Sequence, residues 1–134
     1  MKVVLDTNVL VSGLMTRSGT CAIILDLLIA ERIVAVLDGR MMNEYRRVCV
    51  DPRLHLNAEA VRDFLHFLDD GAENVTAMPL AADLPDPSDL PFLEVAAEAL
   101  AVLVTGNKKH FPQRLMGAVQ VVSPREFLDM LRPA

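Results

Sequence analysis

The sequence predicts an α/β protein built on a mostly parallel sheet of about five strands. Three observations lead there. Short continuous apolar runs alternate with longer stretches of helical periodicity, the pattern of β-α units feeding a sheet buried on both faces. The 134 residues, 52% of them hydrophobic, suit a single domain with a core of its own. Polar residues cluster just after the apolar runs, where open parallel sheets bind ligands.

The first strand is predicted over Val3 to Leu5 and runs into Asp6-Thr7-Asn8. Helices follow over Asn8 to Met15 and Thr20 to Ile29, apolar nearly all round as in a layered core. Ile33 to Leu37 reads as the second strand, ending on Asp38-Gly39. Over Gly39 to Val50, Met41, Met42, Tyr45, Val48 and Cys49 recur at mixed three and four spacing, which predicts a third helix. A fourth begins at the cap-forming Asn57, carries Glu59 where the helix dipole favours an anion, and ends at Gly71. Asn74 to Ala77 is the third strand. Pro79, Pro85, Pro87 and Pro91 then enforce a structured loop bearing Asp86 and Asp89. Phe92 to Leu100 reads as a helix, with Pro91 suited to its first turn and Ser88 or Asp89 to its cap. Ala101 to Val104 is the fourth strand, followed by Thr105-Gly106-Asn107, and Ala118 to Val122 the fifth. Ser123-Pro124-Arg125-Glu126 has the capping-box form ahead of a C-terminal helix.

The formal charge of -5, from 18 acidic against 13 basic side chains, gives no general affinity for nucleic acid, so any such function must rest on a site. An aromatic content of 4% argues against an extended base-stacking platform. The six glycines form no phosphate-binding loop. Cys21 and Cys49 fall in predicted helices without a Cys or His at ligand spacing, and are expected to be reduced. No window resembles a leader or reaches membrane-spanning length, so a cytoplasmic location is expected.

Asp6 is the first residue that carries chemistry. A carboxylate at the tip of an apolar strand is costly to bury alone, and either a following helix N-terminus or a cation makes the position tolerable. Capping and metal binding both stand open for it. Hard cations such as Mg²⁺ take one or two carboxylates plus waters, so Asp and Glu scattered along the chain suffice for a site.

The strings around it say more. Val3-Val4-Leu5-Asp6-Thr7-Asn8-Val9-Leu10 resembles the opening motif of the PIN-domain family, which includes the VapC-like toxin ribonucleases. Asp86-Pro87-Ser88-Asp89-Leu90-Pro91-Phe92-Leu93 and Val104-Thr105-Gly106-Asn107-Lys108-Lys109-His110-Phe111 resemble the second half of the same domain. The resemblance covers essentially the whole chain and implies one three-layer α/β/α PIN-like domain over residues 1–134. It also implies an Mg²⁺- or Mn²⁺-dependent endoribonuclease hydrolysing RNA phosphodiester bonds, the toxin of a toxin-antitoxin pair, with a small antitoxin partner and a homodimeric state.

Carried across residue by residue, the resemblance makes Asp6, Glu44 and Asp89 the metal ligands and catalytic carboxylates, supported by Thr7, Asn8, Asp86, Thr105 and Asn107. Local roles remain alternatives: Glu44 could pair with Arg40 or Arg47 on its helix, Asp89 could cap, and Asp86 could form a turn. Many relatives carry an aspartate at the fourth acidic position, where this chain has Asn107, a neutral donor that holds a cation less tightly. Lys108, Lys109 and His110 form a short basic cluster able to meet RNA phosphates or simply to line a solvated turn. Arg40, Arg46, Arg47 and Arg53 offer a second basic strip.

Two other functions compete. A catalytically weakened PIN-like module could bind RNA or protein without cleavage, with Asn107 marking the loss. A haloacid dehalogenase-like phosphatase also places an aspartate after an apolar strand, but needs a second aspartate two residues on, where Asn8 stands.

Overall fold

The computed structural model describes residues 1–133, so only Ala134 of the expected domain lies outside the described residues. The elements run β1 (Lys2–Leu5), α1 (Thr7–Met15), α2 (Thr20–Ile29), β2 (Val34–Leu37), α3 (Gly39–Cys49), α4 (Ala58–Gly71) and β3 (Glu73–Asn74). They continue with α5 (Leu90–Ala99), β4 (Val102–Val104), β5 (Val121–Val122) and α6 (Pro124–Met130). Short 3₁₀ turns occupy Pro52–Leu54, Pro87–Asp89, Lys108–His110 and Gln113–Leu115.

The sheet has five strands in the order β3-β2-β1-β4-β5, and every neighbouring pair is parallel. This is the α/β architecture the alternating pattern predicts. Successive residues of a strand point to opposite faces, yet Val3 and Val4 are both 0% exposed, as are Leu103 and Val104. Both faces of the central strands are therefore covered by helices, which is why those strands read as unbroken apolar runs. Helix α5 packs across β1, β2 and β4, while α1 meets α2 and α3, and α2 meets α6.

Strands β2 and β4 each start one residue later than the sequence suggests, and two others are shorter by more than that. At the edge, β3 covers only Glu73–Asn74, although Val75 N–H still donates to the Leu37 carbonyl at 3.1 Å. A strand with one neighbour and a proline-rich continuation has little to extend it. In β5 only Val121–Val122 pair, because Met116 to Val119 close a turn first: Gly117 takes φ +59° and Val119 N–H donates to the Met116 carbonyl at 3.0 Å. Helix α5 begins at Leu90 and stops at Leu100, a non-glycine residue in the left-handed region at φ 54°, whose side chain is 90% exposed. Among the described residues, no single helix is long and apolar enough to cross a membrane.

The order 3-2-1-4-5 means that the chain builds outward from β1 to one edge and then returns to β4 on the other side. Strand direction of growth reverses between β1 and β4, so a crevice opens at their carboxyl ends. Leu5 is in register with Val104, and Asp6 N–H donates to the Val104 carbonyl at 2.9 Å, which brings Asp6 beside Thr105.

Candidate metal centre

Asp6 is 4% exposed and works in two directions at once. Its Oδ1 accepts from Thr7 N–H at 2.8 Å and so caps α1, while its Oδ2 accepts from Thr105 Oγ1 at 2.7 Å and Asn8 Nδ2 at 3.2 Å. Capping therefore does not exclude a further role. Burial pushes the Asp6 pKa up and the Glu44 charge adds to the rise; the hydrogen bonds from Thr105 and Thr7, and the His110 charge, oppose it. Asn8 ties the two strand ends together, since its Oδ1 accepts from Gly106 N–H at 2.9 Å. Gly106 leaves room for this: a Cβ there would sit 3.2 Å from Asn8 Oδ1. Thr105 is in turn held by Asn107 N–H, which donates to its Oγ1 at 3.0 Å.

Glu44 reaches the same crevice from α3, where Thr7 Oγ1 donates to its Oε2. Its other oxygen lies 3.9 Å from Arg47, a loose contact with a largely exposed guanidinium. Arg40 takes no part. It binds Asp38 and the buried Glu94 instead, each at 2.7 Å. The next residue, Tyr45, is 3% exposed and donates from its hydroxyl to the Leu5 carbonyl at 2.5 Å, which anchors α3 to the end of β1. Of the arginine strip, Arg46 is paired with Asp69 and Arg53 with Asp51, both at 2.7 Å, so its charge is largely met within the chain.

The proline-rich loop divides its labour. Asp86 forms the turn, its Oδ1 accepting from Ser88 N–H at 3.0 Å and Ser88 Oγ at 2.7 Å. Asp89 occupies the position before α5 but its side chain makes no capping hydrogen bond. It is 7% exposed, and its Oδ2 is fully buried without a hydrogen-bond partner. His110 Nδ1 lies 3.0 Å from that oxygen without the alignment of a hydrogen bond. Burial, with the Asp6 and Asp86 charges behind it, raises the Asp89 pKa from 3.8 to about 6, against the pull of His110.

The basic cluster also separates. Lys108 pairs with Glu126 of the α6 capping box at 2.9 Å, His110 turns to Asp89, and Lys109 is exposed. Asn107 is half-buried and its side chain caps nothing. Among the described residues, the set of ligand atoms lying within 4.8 Å of one another comes from Asp86, Asp89 and His110. Asp6 and Glu44 join this group through electrostatics and the Thr7 bridge rather than at that closeness.

A site that buries carboxylates, raises their pKa by desolvation and mutual repulsion, and leaves one buried oxygen without an aligned hydrogen bond is short of positive charge. Each unmet buried polar atom costs about 1–3 kcal/mol, more when charged. A divalent cation is the group that fits such a donor set. Sequence reasoning read Tyr45 only as core and His110 only as a cation, and passed over Glu94. The one local signal for His110 was its place just after a strand-end loop.

Comparisons with known proteins agree with the fold. The PIN domain matches residues 2–109. An uncharacterized protein of Methanocaldococcus jannaschii is 27% identical over 140 aligned residues, covering 96% of this chain and 90% of the relative. Among solved structures, VapBC2 from Rickettsia felis, bound to a DNA fragment from its promoter, aligns with TM-score 0.61 and 18% identity over 92% of this chain and 98% of the other. FitAcB from Neisseria gonorrhoeae aligns with TM-score 0.56 and 17% identity, again over 92% and 98%. At these identities the structural likeness speaks for the fold alone.

Proposed function

From the premise that this chain belongs to the PIN-domain family, we propose that it is a metal-dependent endoribonuclease acting in the cytoplasm, in which Asp6, Glu44 and Asp89 hold Mg²⁺ or Mn²⁺. The observation that carries the reading is Asp89 Oδ2, a buried carboxylate oxygen that makes no hydrogen bond and faces the His110 imidazole at 3.0 Å, at the mouth where the strand order reverses. When bound, the cation would supply a more acidic water and offset charge developing on the phosphodiester. The chain's own groups do the rest. Thr105, Thr7 and Asn8 fix both oxygens of Asp6. Thr7 orients Glu44, and Tyr45 fastens α3 so that Glu44 keeps its place. Lys109, exposed on the turn after β4, would meet a phosphate of the RNA backbone.

Purified protein is expected to cleave a structured RNA with Mg²⁺ or Mn²⁺, to stop in EDTA, and to lose about 100-fold or more in rate as Asp6→Asn, on the order expected when a group essential to charge stabilisation is removed. Metal-independent cleavage, or an Asp6→Asn variant of undiminished rate, refutes the reading. Asn107 favours the alternative of a binding module that no longer cuts, and calorimetric metal binding without cleavage would establish it.

The fold shared with VapBC2 and FitAcB supports a toxin-antitoxin setting, with a small antitoxin as partner and a homodimeric toxin. Co-purification with the product of an adjacent short reading frame is the expected result. Harmless controlled expression would remove the toxin role and leave the nuclease role standing.

A further inference from the structure

Beside the centre proposed above stands a residue type that a hard oxygen site does not need. We propose that His110, with Asp89 and Asp86, forms a mixed imidazole and carboxylate seat that makes the bound ion a first-row transition metal in preference to Mg²⁺. The inference rests on the reading of Asp89 as a ligand and adds the identity of its companions.

Three observations lead to it. First, one ligand atom from each of Asp86, Asp89 and His110 lies within 4.8 Å of the other two, a spacing that one cation can bridge. Second, the atoms are available. Asp89 is 7% exposed with its Oδ2 unpartnered, and His110 Nδ1 faces that oxygen at 3.0 Å without the alignment to donate to it. The Asp89 carboxylate is buried while His110 is partly open to solvent, and at this spacing both atoms can reach one cation. The Asp86 turn bonds both fall on Oδ1. Its Oδ2 remains for the seat.

Third, the same turn that brings Asn107 in place of a carboxylate also brings His110, whose N–H donates to the Asn107 carbonyl at 3.1 Å. The loop thus offers the seat a ring nitrogen rather than a further carboxylate. Mg²⁺ demands an octahedral oxygen shell and gains little from imidazole, whereas Mn²⁺ and, more strongly, Co²⁺ accept it. Affinity rises from Mn²⁺ to Co²⁺ even at all-oxygen sites, so the order of affinities alone proves nothing. The informative quantity is the change in the ratio when the nitrogen is removed.

The test uses the whole protein, stripped with EDTA and dialysed. Mg²⁺, Mn²⁺ and Co²⁺ are each titrated by calorimetry into wild type, His110→Asn and His110→Asp, and the Mn²⁺ complexes are examined by electron spin-echo spectroscopy for coupling to a histidine nitrogen. Asn and Asp place an oxygen close to the position of Nδ1. The expected result is a nitrogen coupling in wild type that both variants lose. The Co²⁺ to Mg²⁺ affinity ratio should fall roughly 10-fold or more in His110→Asn, the scale on which metal-site ligands act, and further in His110→Asp, where Mg²⁺ tightens. Because the ratio is taken within each variant, a partly unfolded preparation does not mimic the effect. A nitrogen coupling absent from wild type, or a ratio unchanged in both variants, overturns the proposal. If RNA is cleaved with metal while the ratio does not move, the nuclease reading stands and this seat falls. If the ratio moves and no RNA is cut, the seat stands and the nuclease reading falls.

Discussion

Replacing Asp89 by asparagine should stabilise the metal-free protein at neutral pH, although it removes a proposed ligand. The carboxyl has a folded pKa of about 6 against 3.8 unfolded. At about 1.4 kcal/mol per unit, holding it ionised in the fold costs about 3 kcal/mol. The amide escapes that penalty but brings an unmet hydrogen-bonding group of its own to the same buried place, a loss of about 1 kcal/mol. The net gain is about 2 kcal/mol above pH 6, or roughly 8 °C in melting temperature for a chain of this size. The sign follows from linkage. Below pH 3.8 the carboxyl is protonated in both states, no ionisation penalty exists, and the variant should be about 1 kcal/mol less stable. Between pH 3.8 and about 6 the unfolded chain releases the proton first, so wild type loses stability relative to the variant and the two curves cross. Above pH 6 the gap is constant. Saturating cation should reverse the order, since a ligand at 100 times its dissociation constant adds about 2.7 kcal/mol to wild type alone. Urea unfolding in EDTA from pH 3.5 to 8, repeated with excess Mn²⁺, measures all of this. A variant that is less stable than wild type at pH 8 in EDTA, or a gap that does not change between pH 4 and 8, would refute the charge deficit on which the metal reading depends.

Three further substitutions probe the frame around the site. Tyr45→Phe keeps the ring against Phe92, 6.3 Å away, but deletes the buried hydroxyl bond to the Leu5 carbonyl, and should cost about 1–1.5 kcal/mol in urea unfolding. An unchanged midpoint would mean that α3 is not fastened there. Gly106→Ala places a Cβ 3.2 Å from Asn8 Oδ1 and must shift the amide that braces Asp6, so RNA cleavage should fall roughly 10-fold while stability moves by less than about 1 kcal/mol. Full activity in this variant would remove Asn8 from the positioning scheme. Leu100→Gly relieves a left-handed residue whose side chain is 90% exposed. The relief of about 1–2 kcal/mol exceeds the extra unfolded-chain entropy of about 0.4–1 kcal/mol, so thermal unfolding should shift upward by a few degrees, and a downward shift would contradict the geometry of the α5 terminus.

The sequence was legible where the physics is local. Periodicity places the buried strands and helices because Val3, Val4, Leu103 and Val104 are apolar on consecutive positions, and that happens only when both faces of a sheet are covered. The Asp6-Thr7-Asn8 string is equally local, since capping, bracing and charge sit within three residues. Where the reading failed, the controlling contact joins distant residues. Tyr45 reads as one more apolar position until β1 delivers the Leu5 carbonyl, forty positions away, to its hydroxyl. The helix offers Arg40 or Arg47 as an alternative partner for Glu44, yet Arg40 binds Glu94 across to α5, because a more deeply buried carboxylate gains more from a guanidinium than the partly buried Glu44 does. Lys108, Lys109 and His110 looked like one positive patch because they are adjacent in the chain. A 3₁₀ turn points successive side chains in different directions, so one meets Glu126, one meets solvent and one meets Asp89. Charge counted along a chain is a poor guide at such a turn. The chemistry of His110 emerges only when the return from the sheet edge sets it against a carboxylate that has no other partner.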